Sequence, residues 1–265
     1  GQNLVFSVQA RELMPYLADA VPGWCQAVLA IYNGAGREVA YADHWRHLPD
    51  PLIQYTPDSD GDLFVELRDS IYRGREDFVY RITVGELPYV TGVFPRGGSL
   101  KGKTKVELTG WNLTNSSMLL ETKAAECGLL NLNPLGNALH NPVVFQVDEL
   151  PDAASSGENL TPESAQPLKP PLYVNGRIGK PGAWNWFRVP GKAGERLVAE
   201  VWARRAGSPL DSFLKLTDAH GKLLQTNDDR NDVMGGVVTH HADSYINVAL
   251  PEPGGWVLDL SAMNR

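Results

Sequence analysis

The densest cluster of oxygen-bearing side chains is Asn227-Asp228-Asp229-Arg230-Asn231-Asp232. Calcium takes about six to eight oxygen ligands, and this run could supply about half of them, with Asp228, Asp229 and Asp232 as the metal-ligating candidates. The same composition also describes a solvated turn in which Asp and Asn side chains bond their own backbone. Asp58-Ser59-Asp60-Gly61-Asp62 has the opening spacing of an EF-hand loop. No Glu stands at its twelfth position and no helical pattern flanks it, so a hairpin turn is expected there.

Bond-breaking chemistry needs a nucleophile, a base and a group that orients the base. His240-His241 followed by Asp243 offers a base and a carboxylate. Neighbouring residues of a strand point to opposite faces, so the two imidazoles cannot readily share one ligand. His44, His47, His140 and His220 fall in expected loops, and no Gly-x-Ser-x-Gly or comparable nucleophile motif accompanies them. No enzyme active site is therefore expected in this chain. Trp184 and Trp186 share strand parity around Asn185, so both rings face one side while Phe187 faces the other. Two aromatic rings on an exposed face can stack on a sugar or a peptide, which makes them the ligand-binding candidates. The competing reading places Trp186-Phe187 in a core hairpin.

The elements that hold these residues read as strands. In Leu4–Ala10 one face carries Val5, Ser7 and Gln9 and the other Leu4, Phe6, Val8 and Ala10. Turn-forming runs such as Pro57-Asp58-Ser59-Asp60-Gly61 and Pro251-Glu252-Pro253-Gly254-Gly255 precede Leu63–Leu67 and Trp256–Leu260. Many short strands punctuated by Gly and Pro imply an all-β protein built of β-sandwiches. Helix is expected only at Ala10–Ala18 and Thr161–Gln166. A length of 265 residues suits two or three domains, and a hydrophobic share of 43% suffices for real cores. No apolar run is long enough to span a bilayer. The net charge of -7, with no Lys/Arg cluster, argues against a nucleic-acid partner. Cys25 and Cys127 match no metal spacing, and either one disulfide or two buried thiols would suit them.

The chain repeats itself, with Leu4-Val5-Phe6-Ser7-Val8-Gln9-Ala10-Arg11 aligning with Leu197-Val198-Ala199-Glu200-Val201-Trp202-Ala203-Arg204. Ala27–Gly36 aligns with Ser212–Gly221, each a strand entering a turn that ends in Gly, and Asp43 then falls beside Asp228. The first copy carries an insertion around Ala18–Gly23. Tyr173–Ile178 and Asn185–Val189 have no counterpart before Gly1, and Asp77–Val84 has none after Arg265. Each copy thus lacks strands that the other possesses, as expected of a window on a longer chain or of edges covered by another molecule. Such edges invite strand addition from neighbouring modules or chains.

Val174-Asn175-Gly176-Arg177-Ile178, Trp186-Phe187-Arg188-Val189, Gly194–Val198, Ser208-Pro209-Leu210-Asp211-Ser212 and Asn227-Asp228-Asp229 resemble the bacterial pre-peptidase C-terminal domain. The first copy resembles the same domain without its opening strands, and Tyr80–Gly85 is similar to its closing strand. Val93-Phe94-Pro95-Arg96-Gly97-Gly98 and Leu108-Thr109-Gly110-Trp111-Asn112-Leu113 resemble the immunoglobulin-like IPT/TIG domain. The arrangement is similar to that of large exported proteins of planctomycete-type bacteria. The resemblance implies jelly-roll-like sandwiches at 1–88 (incomplete) and 172–265, an immunoglobulin-like sandwich at 89–150 and a linker at 151–171. It further implies a secreted, periplasmic or cell-surface location and non-catalytic binding of extracellular protein or polysaccharide. The alternative is an accessory part of a secreted hydrolase whose catalytic domain lies elsewhere. Some relatives bind calcium, but Ala183 and Asn185 replace the acidic residues of that pattern before Trp186-Phe187.

Overall fold

The alternation read from the sequence becomes a succession of short pleated strands in the computed structural model, which describes residues 1–13, 24–122, 127–136, 140–231 and 240–263. The first sandwich comprises β1 (Leu4–Gln9), β2 (Ala27–Asn33), β3 (Glu38–Ala42), β4 (Leu52–Tyr55), β5 (Leu63–Asp69) and β6 (Arg81–Gly85). Next along the chain come β7 (Tyr89–Phe94), β8 (Gly97–Ser99), β9 (Lys103–Trp111), β10 (Ser117–Glu121), β11 (Gly128–Leu132) and β12 (Val143–Asp148). The remainder forms β13 (Asp152–Ala154), β14 (Gln166–Pro167), β15 (Tyr173–Asn175), β16 (Trp184–Gly191), β17 (Arg196–Glu200) and β18 (Ser212–Thr217). It is completed by β19 (Leu223–Asn227), β20 (Arg230–Asn231), β21 (His240–His241), β22 (Tyr245–Ala249) and β23 (Gly254–Ala262). Two compact units result. One is Gly1–Thr91 with Thr109–Ser116 and Leu135–Asn141; the other is Gly92–Leu108 with Ser117–Pro134 and Pro142–Arg265.

In the first unit the sheets β4-β1-β6 and β3-β2-β5 enclose Phe6, Val8, Ala10, Leu29, Ile31 and Ile53. In the second, β16 crosses a five-stranded sheet, β14-β16-β23-β18-β19, opposed by β17-β22. Leu214, Leu216, Ile246, Leu250 and Trp256 form one core there, and Leu168, Phe187 and Val189 a second beside it. Upstream in that unit, Val106, Leu108, Phe145 and Val147 are buried among the strands of the two three-stranded sheets β10-β9-β7 and β11-β12-β8. Burial of such side chains, worth about 1.5–3 kcal/mol each, is what drives the layers together.

The repeat is reproduced in detail. β2 pairs with β3 and β5 as β18 pairs with β19 and β23. Each strand carries a register irregularity at the same place, Ile31/Tyr32 in one copy and Leu216/Thr217 in the other. The turn that follows is closed in both by a side-chain oxygen: Asn33 Oδ1 accepts from the amides of Ala35 and Arg37, and Asp218 Oδ1 from those of His220 and Lys222. Both turns end on a glycine of left-handed conformation, Gly36 (φ 74°) and Gly221 (φ 83°), which a side chain would strain.

One helix expectation is corrected. Thr161–Ala165 is a turn and Gln166 enters β14: the Thr161 and Ser164 hydroxyls accept from each other's amides, a reciprocal cap after which no helical turn follows. At Ala10–Ala18 the described part holds a single 3-10 turn, Arg11–Leu13, while the remainder and the whole Ala18–Gly23 insertion lie outside the described residues. Asp152–Pro171, linker-like in composition, pairs with the sheets through β13 on β15 and β14 on β16. Cys25 and Cys127 are free thiols, and burial pushes the Cys25 thiol up.

Candidate functional site

The alternation of β16 places Asn185, Phe187 and Val189 in the interior and leaves Trp184 and Trp186 half-buried on the outer face. Register then decides their neighbours. Trp186 lies opposite Asp259, which lies opposite Lys215; Trp184 lies opposite Ser261, which lies opposite Phe213. The two indoles are 6.2 Å apart between centroids and tilted by 43°, and Phe213 meets Trp184 edge-on at 5.8 Å. Such tilted and edge-on contacts are the favoured aromatic geometries.

Lys215 Nζ sits 5.4 Å from the Trp186 centroid and 5.9 Å from that of Trp184, within cation–π range of both. The same ammonium lies 3.2 Å from Asp259 Oδ2. Asp259 has no exposed surface, and neither carboxylate oxygen accepts a well-directed hydrogen bond among the described residues. Burial therefore raises its pKa above the ordinary value, and Lys215 draws it partly back. The outer face thus carries two indoles beside a half-buried ammonium that reaches a fully buried carboxylate.

Trp186 is positioned from the side by Asn159. Asn159 is fully buried, its carbonyl accepts from the Trp186 amide at 2.7 Å, and its Nδ2 donates to the Trp186 carbonyl at 3.0 Å. Ser155 and Ser156 hydroxyls donate to its Oδ1. The buried Asn185 Nδ2 donates to the Arg177 carbonyl, and Ser261 Oγ to the Ala183 carbonyl, fixing the start of β16.

The Asn227–Asn231 loop is closed on itself. Asn227 Oδ1 accepts from the Tyr245 amide at 2.7 Å and its Nδ2 donates to the Asp229 carbonyl; Asp228 Oδ1 accepts from the Asp229 amide at 2.9 Å. Arg230 reaches away to Glu200 at 2.6 Å, where Arg205 also binds at 2.8 Å. Among the described residues no three His, Cys, Asp or Glu side chains gather as metal ligands, and Asp232 lies outside the described residues. As described, Asp228 closes its own turn, and Asn227 ties that turn to β22.

The histidines are scattered. His44 Nδ1 pairs with its neighbour Asp43 at 2.6 Å at the surface, His140 and His220 are exposed, and the side chains of His240 and His241 lie outside the described residues. Asp243, noticed only beside those histidines, is instead a fully buried acceptor for the amides of Ala203, Arg204 and Arg205. Asp50 does the same for Ala10, Arg11 and Glu12 in the first copy. The signal was present: the offset that aligns Gly1 with Gly194 also aligns Asp50 with Asp243.

No family model matches the chain. A protein of Deinococcus radiodurans named "probable subtilase-type serine protease" is 44% identical over 88 residues, which are 33% of this chain and 11% of that protein. The chain is thus partly homologous to a subtilase-type protease and spans only a small part of it. Among the described residues no helix is long and apolar enough to cross a membrane.

Proposed function

We propose that this chain is a non-catalytic accessory region of an exported protein and that it binds extracellular protein or polysaccharide through the Trp184–Trp186 face. The observation that carries the reading is the half-buried indole pair on the outside of the five-stranded sheet, with the Lys215 ammonium over both rings and paired to Asp259. Two neighbouring aromatic rings with a charged group beside them suit stacking on a sugar ring or a proline-rich peptide. The stretch shared with the subtilase-type relative supports the accessory part of the proposal. In this reading the chain is an incomplete sandwich of the pre-peptidase C-terminal type at 1–88, an immunoglobulin-like spacer at 89–150 and a second sandwich at 172–265.

The test is an array of extracellular proteins and polysaccharides, followed by calorimetry on each hit. Trp184→Ala and Trp186→Ala are each expected to weaken binding about tenfold, the loss typical of truncating an aromatic anchor. Hits that bind both variants as well as the parent would refute this face as the site. Turnover of peptide or glycoside substrates by the purified chain would refute the non-catalytic role.

A further inference from the structure

The internal repeat shows what completes a sheet of this kind. β1 and β17 are equivalent strands, as are β4 and β22, and each pair is antiparallel. β1 is central in its sheet, with β4 on one side and β6 on the other. Among the described residues β17 has β22 alone, so its other side presents backbone N–H and C=O groups with no ladder partner. Leu197, Ala199 and Val201 turn into the core, while Val198 turns outward and is 52% exposed. A cavity of about 290 Å³ opens beside this edge, lined by Pro170, Val189, Leu197 and Leu250, with Lys169 and Arg196 at its rim. The core beneath is also thinner: β17 carries Ala199 where β1 carries the fully buried Phe6.

We propose that the free side of β17 is an acceptor for an extended polypeptide segment of β6 character, added antiparallel in the register that β6 takes on β1. β6 sets Gly85, Val84, Thr83, Ile82 and Arg81 opposite Val5, Phe6, Ser7, Val8 and Gln9. Carried to the second copy, those positions fall opposite Val198, Ala199, Glu200, Val201 and Trp202. The residue in the Ile82 place then faces the core side above Val201 and must be apolar, as Ile82 itself packs against the first core, while the Val84 place lies above Ala199 at the margin, where Val84 is 49% exposed. The occupant is a polypeptide because only a backbone satisfies a row of alternating donors and acceptors at strand spacing, with side-chain pockets setting the choice of sequence. This site is separate from the Trp184–Trp186 face and stands whether or not that face binds a ligand.

The probe is a fluorescently labelled peptide copying Phe78–Glu86, titrated into the unaltered protein and followed by anisotropy. Saturable binding is expected, with at least a tenfold loss for a peptide carrying Ile82→Asp and Val84→Asp. An unlabelled peptide copying Ala183–Gly191 should leave binding unchanged. Register is read by disulfide trapping in a Cys25→Ser, Cys127→Ser background. There, Val198→Cys should capture a Gly85→Cys peptide at least tenfold faster than a Val84→Cys peptide, whose thiol faces the opposite side. Absence of saturable binding at millimolar peptide, equal displacement by the Ala183–Gly191 peptide, or equal trapping rates would each overturn the proposal.

Discussion

Replacing Asp243 by Ala removes an acceptor on which four hydrogen bonds converge. Its Oδ1 takes the amides of Ala203 and Arg204 at 3.0 and 2.7 Å, and its Oδ2 takes the amide and Nε of Arg205 at 3.2 and 2.8 Å. The carboxylate has no exposed surface, so water cannot take its place without opening the structure. Removing one partner of a buried charged pair costs about 3–5 kcal/mol. Arg205 keeps Glu200 and the Val201 carbonyl, which places the expected cost near the lower limit, about 3 kcal/mol. Asp50→Ala removes the equivalent acceptor from Ala10, Arg11 and Glu12 at 2.8–3.0 Å, but Asp50 is partly exposed and water can reach the freed amides. Its cost is set by ordinary net hydrogen-bond energies, about 1–1.5 kcal/mol. Native-state hydrogen exchange separates the two copies. Protection of the Ala203–Arg205 amides should fall roughly a hundredfold in Asp243→Ala, and that of Ala10–Glu12 roughly tenfold in Asp50→Ala, at about 1.4 kcal/mol per decade. Unchanged protection at Ala203–Arg205, or a larger loss for Asp50→Ala, would refute the reasoning.

Asp69 is gripped by the Arg73 guanidinium at 2.9 and 3.0 Å and by the amides of Gln26, Ile71 and Arg73, and the Arg73 side-chain bond above all holds its carboxyl far below its ordinary value of 3.8. A depressed folded value gives stability that is full above the unfolded pKa and is lost as pH falls through the folded one. The gap between parent and Asp69→Asn in urea melts should therefore be widest at neutral pH and shrink on acidification below about pH 4. Asp259 has the opposite sign. Its raised pKa means the folded state binds the extra proton, so its charge costs stability above the folded value and the cost vanishes on acidification. Asp259→Asn is expected to match or exceed the parent at pH 7 and to lose that advantage below the unfolded pKa; a large loss at pH 7 would show that the Lys215 attraction outweighs desolvation. Millimolar calcium should leave the melting temperature unchanged, since Asn227 is engaged with Tyr245 and the Asp229 carbonyl and Asp228 with the Asp229 amide. A rise that Asp228→Ala abolishes would contradict that.

Local pattern carried the strands because burial has the period of the pleat. Phe6 and Val8 on one face of β1, or Trp184 and Trp186 on one face of β16, follow from parity alone. The repeat carried the topology further, down to the shared bulge and the side-chain-closed turn. Parity is silent about partners across the chain, however. That Lys215 stands over both indoles depends on the registers of β16, β23 and β18, and that Asn159 brackets Trp186 depends on a loop packing edgewise on β16. Neither leaves a trace in spacing. The turn at Thr161–Ala165 was misread because Thr161 and Ser164 make the reciprocal bonds of a helix start, while the chain beyond them turns into β14 on β16. Composition likewise suggested a loose tether at Asp152–Pro171, where short parallel pairings and the burial of Asn159, Ala165 and Leu168 tie the backbone down.

That tied stretch bears on survival among digestive enzymes. A Ser-, Pro- and Glu-rich run of this length is the natural place for a protease to nick, since cleavage requires several consecutive residues to be drawn out into a catalytic groove. Here Asp152–Ala154 and Gln166–Pro167 are already committed to ladders, and Asn159 between them is anchored to β16. Cutting must wait until those contacts open, so with fast reclosing the rate of cleavage follows the fraction of molecules in which the segment has left β15 and β16.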